Sequence, residues 1–513
     1  MNGADALIST LAANEVTACF ANPGTSEMQF VAALDGVPQM RAVLCLFEGV
    51  ATGAADGYGR IADKPACTLL HLGPGYGNGV ANLHNARRAF TPIVNVVGDH
   101  ATYHRQYDAP LNSDIATLVK PNSIWVKSAD SAAEVSALTA EAVAASYGPP
   151  GGPVTLILPA DSAWLETSGE PAIAQKVTRP APSGAAVDAA ARAIKAAKKP
   201  IVLLGGQACR EEALKEAARL EAAGVTVYSD TFVPRQRRGA GVFLPKKMQY
   251  FGEMALQELE GVDLMVFVGT TTPVAFFAYP DRPSVLVPEG CETMTLAERG
   301  EDAVAGLGAL ADALGAPKDG PVQPLKIPEA APSGGLNAYY AGASIARHLP
   351  EDAVLCDDAV TSGTGVAIGT ATARAHDVLA LTGGAIGIGL PIAIGAAVAA
   401  PERKVVSLNG DGAAMYTVQA LWTMAREKLD IAVVVFANHT YRILNVEMTR
   451  TGAGDAGPKA SQLLDLSDPK IDWVSVAKGL GVPAVRCETA EDFDRAFADA
   501  MANKGPRFIE AVI

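Results

Sequence analysis

The chain has 513 residues and a formal net charge of −14, with 49% hydrophobic and 19% charged residues. At about 100–200 residues per domain this length predicts about three domains, and the apolar content excludes a largely disordered chain. The acidic balance argues against nucleic acid as a partner, because neutralising phosphates requires a basic surface.

The start of the chain, MNGADALIST, has no basic segment before an apolar one, so we expect no signal peptide and a cytoplasmic protein. The longest apolar stretch, 385–400, contains several glycines and a proline. It predicts a buried helix and not a membrane span, so no membrane partner is expected. The seven scattered cysteines form no C-x-x-C pair and are expected to be reduced core residues.

Residues 1–165 alternate short apolar runs with helical patterns, which predicts an α/β unit with a doubly wound parallel sheet covered on both faces. Small residues at helical spacing predict a helix over 48–62. The glycines of 73–79 directly follow an apolar run and predict a tight turn. The expected strands are 17–24, 41–47, 66–72, 92–99 and 153–159.

Two further α/β units follow, a middle unit over 185–325 and a third unit over 336–513. The stretch 316–335 is rich in Pro, Gly and charge, and it predicts a linker. We therefore predict three doubly wound parallel-sheet domains. The expected strands are 199–207, 224–230, 263–273 and 283–290 in the middle unit, and 353–358, 404–412, 431–439 and 507–513 in the third.

The strongest local motif lies at the ends of two strands of the third unit. Asp411 lies in an N-G-D-G-A turn after one strand, and Asn438 follows the next. Carboxylate and amide oxygens there could share one hard cation, since Mg²⁺ prefers oxygen ligands. Gly412 and Ala413 would bring backbone N–H groups close to a diphosphate, at the start of a helix expected over 414–425. A lone G-D-G is more typical of a tight turn, and the strand context is what favours the metal site.

Two more candidate side chains follow strands of the first unit. Glu48 opens the helix expected over 48–62, where a carboxylate either stabilises the helix N-terminus or acts as an acid–base group. His71 precedes 73–79, a place for a substrate-side acid or base, although a lone histidine is more often structural. The glycines of 73–79 also suggest a dinucleotide turn, but the G-x-G-x-x-G spacing is missing, which disfavours an oxidoreductase.

Together these motifs resemble the thiamine-diphosphate-dependent 2-oxo acid decarboxylase and acetohydroxyacid (acetolactate) synthase superfamily over essentially the whole chain, most of all its benzoylformate decarboxylase branch. The resemblance implies a pyrimidine-binding, a middle and a diphosphate-binding domain. It implies cleavage or formation of carbon–carbon bonds of small 2-oxo acids through an enamine. Thiamine diphosphate and Mg²⁺ are the implied cofactors, in a homodimer at least and commonly a homotetramer. The segments that carry the resemblance are 20–27, 46–60, 69–86, 383–412 and 436–441.

The resemblance also implies roles for individual residues. Glu48 would bond the aminopyrimidine of the cofactor, the Gly384 carbonyl would lie near that ring, and Ile386 would be the wedge that bends the cofactor. The implied metal ligands are Asp411, Asn438 and the carbonyl of Thr440. The implied catalytic residues are Glu48, His71 and Thr25. The remaining implied cofactor contacts are Pro23, Gly24, Asn78, Thr361, Ser362, Gly410, Gly412, Ala413 and Tyr441.

Four positions depart from the family pattern. Ala278 stands where benzoylformate decarboxylases carry a second active-site His, and Phe47 stands where many relatives carry a His before the catalytic Glu. The pocket holds Ile443, as in pyruvate decarboxylases, and Glu447 in place of an aromatic residue. These pocket residues argue for small aliphatic 2-oxo acids such as pyruvate. Loss of the second His weakens protonation to an aldehyde, which favours acetolactate-synthase-like carboligation.

Three alternatives stay open. A simple decarboxylase of the benzoylformate or pyruvate type would release an aldehyde. A non-catalytic thiamine-diphosphate binder is disfavoured by the joint presence of Glu48, Asp411 and Asn438. FAD could occupy the middle domain, as in acetohydroxyacid synthases, but the glycine and threonine segments 205–207 and 269–273 are better explained as ordinary strand-end turns.

Overall fold

A computed structural model describes residues 1–513, and its strands form three separate sheets. All strand pairs in the first and middle sheets are parallel. The predicted α/β fold class is therefore confirmed. In spatial order the first sheet contains Arg41–Leu44, Ala18–Asn22, Ala66–Leu70, Ile93–Asp99, Pro153–Pro159 and Val126–Ser128. The middle sheet contains Lys246–Lys247, Thr226–Ser229, Pro200–Leu204, Leu264–Val268 and Glu292–Ala297.

The third sheet is parallel except at one edge. Gln236–Arg238, from the middle part of the sequence, pairs antiparallel with His376–Ala380. This strand lies outside the range 336–513 expected for the third unit, and one antiparallel edge strand is common on otherwise parallel sheets. In spatial order this sheet contains Ala484–Cys487, Arg507–Val512, Ile431–Ala437, Val405–Gly410, Val354–Asp358, His376–Ala380 and Gln236–Arg238.

Helices cover both faces of the first sheet. Successive residues of a strand point to opposite faces, and in Ile93–Asp99 the side chains of Val94 and Val96 join one apolar cluster while Ile93 and Val97 join another. The α-helices of the chain are Gly3–Ala13, Met28–Ala33, Glu48–Ala62, Leu72–Ala89, Ile115–Val119, Val135–Tyr147, Ala160–Trp164, Gly184–Ala196, Glu211–Ala222, Gly252–Glu258, Ala303–Leu314, Ala338–His348, Gly363–Gly369, Gly389–Ala399, Asp411–Met415, Ala420–Arg426, Arg442–Arg450, Pro458–Leu464, Trp473–Gly479 and Ala490–Ala502.

The glycines of 73–79 do not form the predicted turn. They lie in the first half of helix Leu72–Ala89. A Cβ built on Gly79 would come within 2.7 Å of the Thr52 side chain, so the absence of a side chain lets this helix lie close to Glu48–Ala62. Glycine is needed there for helix packing, and the sequence pattern alone does not separate that need from the need for a turn.

Two other predicted elements differ from the structure. The strand expected over 283–290 contains only one isolated bridge, between Val274 and Val285, because its prolines lack the N–H that a central strand must donate. The helix expected over 414–425 is split into Asp411–Met415 and Ala420–Arg426. Between these helices the hydroxyl of Thr417 donates to the carbonyl of Gly387.

Helix Glu48–Ala62 of the first unit packs directly on helix Gly389–Ala399 of the third. A Cβ on Gly57 would overlap the carbonyl oxygen of Ile392, and a Cβ on Gly395 would overlap a carbonyl oxygen of the facing helix. Only glycine permits two backbones to approach this closely. The surrounding apolar side chains form one continuous core with strands of the first and third sheets.

The side chain of Arg60 is buried at the end of helix Glu48–Ala62, and all five of its N–H donors are used. Two donate to the carboxylate of Asp56 at 2.8 and 2.5 Å. The others reach the carbonyl oxygens of Pro234 and Ala380 at 3.1 and 2.7 Å and the hydroxyl of Thr382 at 3.1 Å. A buried charge is tolerated when it is paired and hydrogen-bonded in this way.

No helix of the structure has the length and apolar character needed to cross a membrane. The apolar stretch noted in the sequence forms the buried helix Gly389–Ala399, as predicted. All seven cysteines are free, and six of them are buried as predicted, whereas Cys291 is only half-buried.

Replacing Arg60 with Ala is expected to lower the free energy of unfolding by about 3–5 kcal/mol, because the Asp56 carboxylate would stay buried without its counter-charge. Urea and thermal unfolding measure the loss. Lys215→Ala is the control, since Lys215 pairs with Glu211 and Glu212 on an exposed helix face and its removal should leave the transition nearly unchanged. Equal losses in the two variants would contradict the role of Arg60.

Candidate active site

Glu48, His71 and Asn78 meet around Gly75 at the carboxyl end of the first sheet. The side-chain amide of Asn78 donates to Glu48 Oε2 at 3.0 Å. A Cβ on Gly75 would lie 3.2 Å from Glu48 Oε1 and 3.3 Å from His71 Cβ. Glu48 itself is buried. The structure therefore brings three of the predicted site residues together, with a carboxyl group and an imidazole on either side of one glycine.

Pro23, Gly24 and Thr25 form the turn after strand Ala18–Asn22. Gly24 lies against the imidazole of His71, since a Cβ there would overlap the ring. Thr25 begins a short 3-10 helix, and its side chain is exposed. This turn therefore borders the same space as His71.

Glu27 is a site residue that the sequence analysis missed. Its Oε2 accepts the backbone N–H of Gly24 at 2.7 Å and lies 2.8 Å from Nδ1 of His71. When Nδ1 carries a proton it donates to Glu27, which leaves Nε2 free for a substrate. Burial raises the pKa of Glu27, and the charge of His71 opposes that rise. The one local signal, a Glu three residues after Gly24, is typical of a helix cap.

Asp411, Asn438 and Thr440 converge at the ends of two adjacent parallel strands. The two carboxylate oxygens of Asp411 accept the backbone N–H groups of Gly412 and His439 at 2.8 and 2.7 Å. The side-chain oxygen of Asn438 accepts the N–H of Thr440 at 3.1 Å. The turn through His439 thus brings the carboxylate of Asp411 and the amide oxygen of Asn438 to the same strand ends.

This group of oxygens suits a hard cation. Burial raises the pKa of the Asp411 carboxyl against the lowering effect of its N–H partners, so a cation beside it would favour the ionised form. Carboxylate, amide and carbonyl oxygens are the ligands that Mg²⁺ prefers. Gly412 leaves its space to the ring of Tyr441, which a Cβ would overlap. The residues present fit a divalent cation held against a diphosphate.

The loop before helix Gly389–Ala399 runs beside the N-G-D-G-A turn. Ile386 is half-buried in it, and a Cβ on Gly387 would come within 3.6 Å of the Ala413 carbonyl oxygen. Gly384 has a φ of +79°, a backbone conformation that glycine adopts without strain. The other predicted diphosphate contacts lie at neighbouring strand ends: Thr361 and Ser362 after Val354–Asp358, and Gly410 at the end of Val405–Gly410.

Three non-glycine residues of the site have a left-handed backbone. They are Leu72, Val360 and His439, with φ of 48°, 50° and 55°, and each is next to a residue that the sequence predicted for the site. Such conformations are strained for bulky or β-branched residues, and they persist only where the surroundings fix them. The strand-end turns of the site are therefore held in place by their packing.

The predicted pocket residues Ile443 and Glu447 lie one turn apart on helix Arg442–Arg450. Glu447 is buried, and its Oε2 accepts the hydroxyl of Tyr279 at 2.7 Å. Tyr279 directly follows Ala278, which is exposed. Glu447 therefore joins the third unit to the middle segment, while its Oε1 has no partner.

An aromatic group that the sequence analysis did not single out stands over Gly384. The ring of Phe276 lies there, since a Cβ on Gly384 would come within 2.5 Å of its Cζ. Phe232, Tyr250 and Phe277 surround Phe276, with ring centroids 5.6, 5.4 and 4.9 Å from it. Phe276 and Phe277 are still 40% and 52% exposed, so the group borders open space beside the loop.

The two halves of the predicted site lie apart within one chain. His84 and Asn85, near the end of helix Leu72–Ala89, bond the carbonyl oxygens of Gly383 and Ala385 at 3.0 and 2.8 Å. About 20 Å of helix, at 1.5 Å per residue, separates His84 from His71. His71 therefore lies at the far end of this helix from the loop, and Glu48, which bonds Asn78, lies between them.

Two family descriptions and a full-length relative match this chain. The description "Thiamine pyrophosphate enzyme, N-terminal TPP binding domain" matches residues 1–118, and the corresponding C-terminal domain matches 364–511. "Putative acetolactate synthase large subunit IlvX" of Mycobacterium tuberculosis is 50% identical over 100% of this chain and 99% of its own. The chain belongs to the thiamine pyrophosphate enzyme family. The predicted family is confirmed, and this enzyme depends on thiamine diphosphate (thiamine pyrophosphate).

Other members of the thiamine pyrophosphate enzyme family match over nearly the full length. Benzoylformate decarboxylase of Pseudomonas aeruginosa is 28% identical over 96% of both chains. The solved structure of a thiamine diphosphate-dependent 4-hydroxybenzoylformate decarboxylase from Rhodococcus jostii RHA1 superposes with a TM-score of 0.88 at 26% identity, over 100% of this chain and 99% of the other. The fold and the family therefore agree along the whole molecule, while the roles of single residues stay predictions.

Glu27→Ala is expected to lower kcat/KM by about 10- to 100-fold, because the His71 ring loses the group that orients it and small misplacements of a reacting group are costly. Glu27→Gln keeps an oxygen acceptor and should lose less. Steady-state kinetics of the cofactor-saturated enzyme measure both variants. Glu15→Ala, which removes an exposed partner of Lys176, is the control. Unchanged kcat/KM in Glu27→Ala would rule out a positioning role.

Proposed function

We propose that this enzyme joins small 2-oxo acids in the manner of an acetolactate synthase. One 2-oxo acid loses CO₂, and the remaining fragment is joined to the carbonyl carbon of a second. The observation that carries the proposal is that residues 185–325 contain no histidine, and Ala278 occupies the family's second histidine position. Without an imidazole from the middle segment, protonation to an aldehyde loses its general acid. The name of the 50% identical relative agrees with this chemistry.

When bound, thiamine diphosphate would supply a carbon nucleophile and an electron sink for decarboxylation of the 2-oxo acid. We propose that Asp411, Asn438 and the Thr440 carbonyl hold Mg²⁺ on its diphosphate, because their oxygens converge and suit that ion. Glu48 would hold a proton on the aminopyrimidine, and Ile386 would press the cofactor into its bent form. His71 would act as an acid or base towards the substrate, and Glu27 would orient its ring.

We propose a homodimer as the smallest active unit, with tetramers as the resemblance implies. His71 lies at one end of helix Leu72–Ala89, Glu48 bonds Asn78 in the first half of that helix, and the loop with Ile386 lies at the other end. A second copy of the chain would bring its Glu48 to the diphosphate side of the first.

We propose that the middle domain binds no FAD. The turns that contain Gly206 and Gly269 border a cleft of about 560 Å³, which residues of the first unit such as Arg88 also line. A Cβ on Gly205 would overlap the carboxylate of Asp230, and burial raises the pKa of that carboxyl to about 6. A carboxyl group packed against this turn, once ionised, opposes the approach of a nucleotide diphosphate.

A second candidate function is decarboxylation of an aromatic 2-oxo acid to an aldehyde. The observation that favours it is the exposed aromatic group of Phe276 and Phe277 beside Gly384, since aromatic rings pack well on one another. The 4-hydroxybenzoylformate decarboxylase that superposes on this chain acts on such a compound.

The products distinguish the two functions. Enzyme with thiamine diphosphate and Mg²⁺ is incubated with pyruvate or with benzoylformate and followed by proton NMR. We expect acetolactate or acetoin from pyruvate, and an increased share of aldehyde from Ala278→His because a general acid is restored. Glu48→Gln is the inactive control of nearly equal size. Benzaldehyde from benzoylformate as the dominant product would overturn carboligation in favour of decarboxylation.

Asp411→Ala is expected to lower the affinity for thiamine diphosphate and Mg²⁺ by about 100-fold or more, because one oxygen ligand and one charge are lost from the cation. Titration of the apo-enzyme, followed by protein fluorescence, measures the change. Asp455→Ala removes an exposed carboxylate instead and should bind like the wild type. Equal cofactor affinity in the two variants would contradict the metal site.

A further inference from the structure

The loop that carries Gly384 and Ile386 is fastened by a buried carboxyl group outside the predicted site. Asp358, the last residue of its strand, is 1% exposed. Its Oδ2 accepts the backbone N–H groups of Gly387 and Gly389 at 2.8 and 3.2 Å. Asp358 therefore fixes the end of this loop to the edge of the third sheet.

The other oxygen of Asp358 lacks a hydrogen-bond donor, as does an acceptor of its register partner on the adjacent strand. Oδ1 of Asp358 and Oδ1 of Asn409 are both buried, and neither has a hydrogen-bond donor. The two residues are register partners on adjacent parallel strands. Both press on Gly389, where a Cβ would overlap Asn409 Oδ1 and lie 2.8 Å from Asp358 Cβ. Two buried acceptors side by side are unfavourable unless a hydrogen lies between them.

The orientation of the Asn409 amide is fixed by its other contacts. Its Nδ2 donates to Ser407 Oγ at 3.0 Å and to the Val434 carbonyl at 3.4 Å. Ser407 donates its own hydrogen to the Gly389 carbonyl at 2.8 Å, so its oxygen is left to accept. A flipped amide would turn its oxygen towards these acceptors. Asn409 Oδ1 therefore needs a donor from the side of Asp358.

We propose that Asp358 is a positioning residue that is protonated in the folded enzyme. Its Oδ1–H donates to Asn409 Oδ1, while its Oδ2 accepts the N–H groups of the loop. This neutral clamp holds Gly384 and Ile386 in place for the cofactor. The functional meaning of the clamp rests on the proposed function, which gives those two residues their roles.

The surroundings of Asp358 favour the neutral form. Burial raises the pKa of Asp358 to about 7, and the charge of Asp357 on the same strand adds to the rise, against the lowering effect of the loop N–H groups. Ser407 and Asn409, which face it from the adjacent strand, are uncharged, as are the loop residues. Asp411 lies further along that strand and turns its oxygens to other N–H groups.

Protonation of Asp358 makes the free energy of unfolding depend on pH in a defined direction. The pKa of Asp358 is about 7 in the folded chain against an ordinary value of 3.8, so between about pH 4 and pH 7 the folded chain binds a proton that the unfolded chain has lost. Stability from this group is present at low pH, falls as the pH rises through that window, and is constant above it. Asn at this position would accept from the loop and donate to Asn409 at every pH.

The test compares melting temperatures of the full-length enzyme across pH. Asp358→Asn is expected to gain on the wild type steadily from about pH 4 to about pH 7, with a constant difference above. Asp455→Asn is the control, since it removes an exposed carboxylate, and its difference from the wild type should not grow across that window. A difference for Asp358→Asn that does not change with pH, as an ionised Asp358 would give, overturns the proposal.

Cofactor titration provides a second readout. Asp358→Ala removes the loop acceptor and should weaken thiamine diphosphate binding by about 10-fold or more. Asp358→Asn keeps an acceptor for the loop and should bind thiamine diphosphate as tightly as the wild type. Equal weakening in both variants would show that a charged carboxylate is required and would overturn the neutral clamp. If Asp358→Asn fails to fold, Asn409→Asp sets two acids face to face, and its melting temperature should fall increasingly below that of the wild type as the pH rises. None of these measurements depends on which product the enzyme forms. If the proposed carboligation is wrong, these measurements still test the clamp independently.

Discussion

One buried guanidinium sets the relation between the parts of this enzyme. Arg60 donates within its own helix to Asp56, and it reaches carbonyl oxygens at Pro234 and Ala380 in two other segments. A guanidinium is planar, so its five donors have fixed directions. The segment that enters the loop of Ile386 is therefore placed against helix Glu48–Ala62 by hydrogen-bond geometry as well as by apolar packing.

The two halves of the site divide the chemistry between two sheets. The first sheet presents Glu27, Glu48 and His71, which are groups that can hold and move protons. The third sheet presents the oxygens proposed to bind the metal ion and the loop proposed to shape the cofactor. Both sets lie at the carboxyl ends of parallel strands, where α/β sheets commonly bind ligands. In the proposed dimer, the two sets would meet between copies of the chain.

Local pattern predicted most of this architecture, and its failures have physical causes. Helix Glu48–Ala62 agrees with its prediction at both ends, because small residues at helical spacing follow directly after a strand. Glu27 escaped notice because its partner His71 is 44 residues away and a helix cap explained it locally. Strand Gln236–Arg238 pairs with a distant strand, which no local pattern records. The protonated state proposed for Asp358 depends on acceptors that only the folded chain brings together.

The backbone conformation of Leu72, Val360 and His439 affects how the enzyme could be stabilised by mutation. Each keeps a left-handed backbone that costs of order 1–3 kcal/mol for a residue with a side chain. Glycine would remove that cost at each turn, but it would also widen the range of conformations open to the same turns. At these positions a gain in thermal stability would therefore come at the cost of a fixed orientation of the neighbouring site residues. A search for hardier variants of this enzyme would do better to begin elsewhere on the molecule.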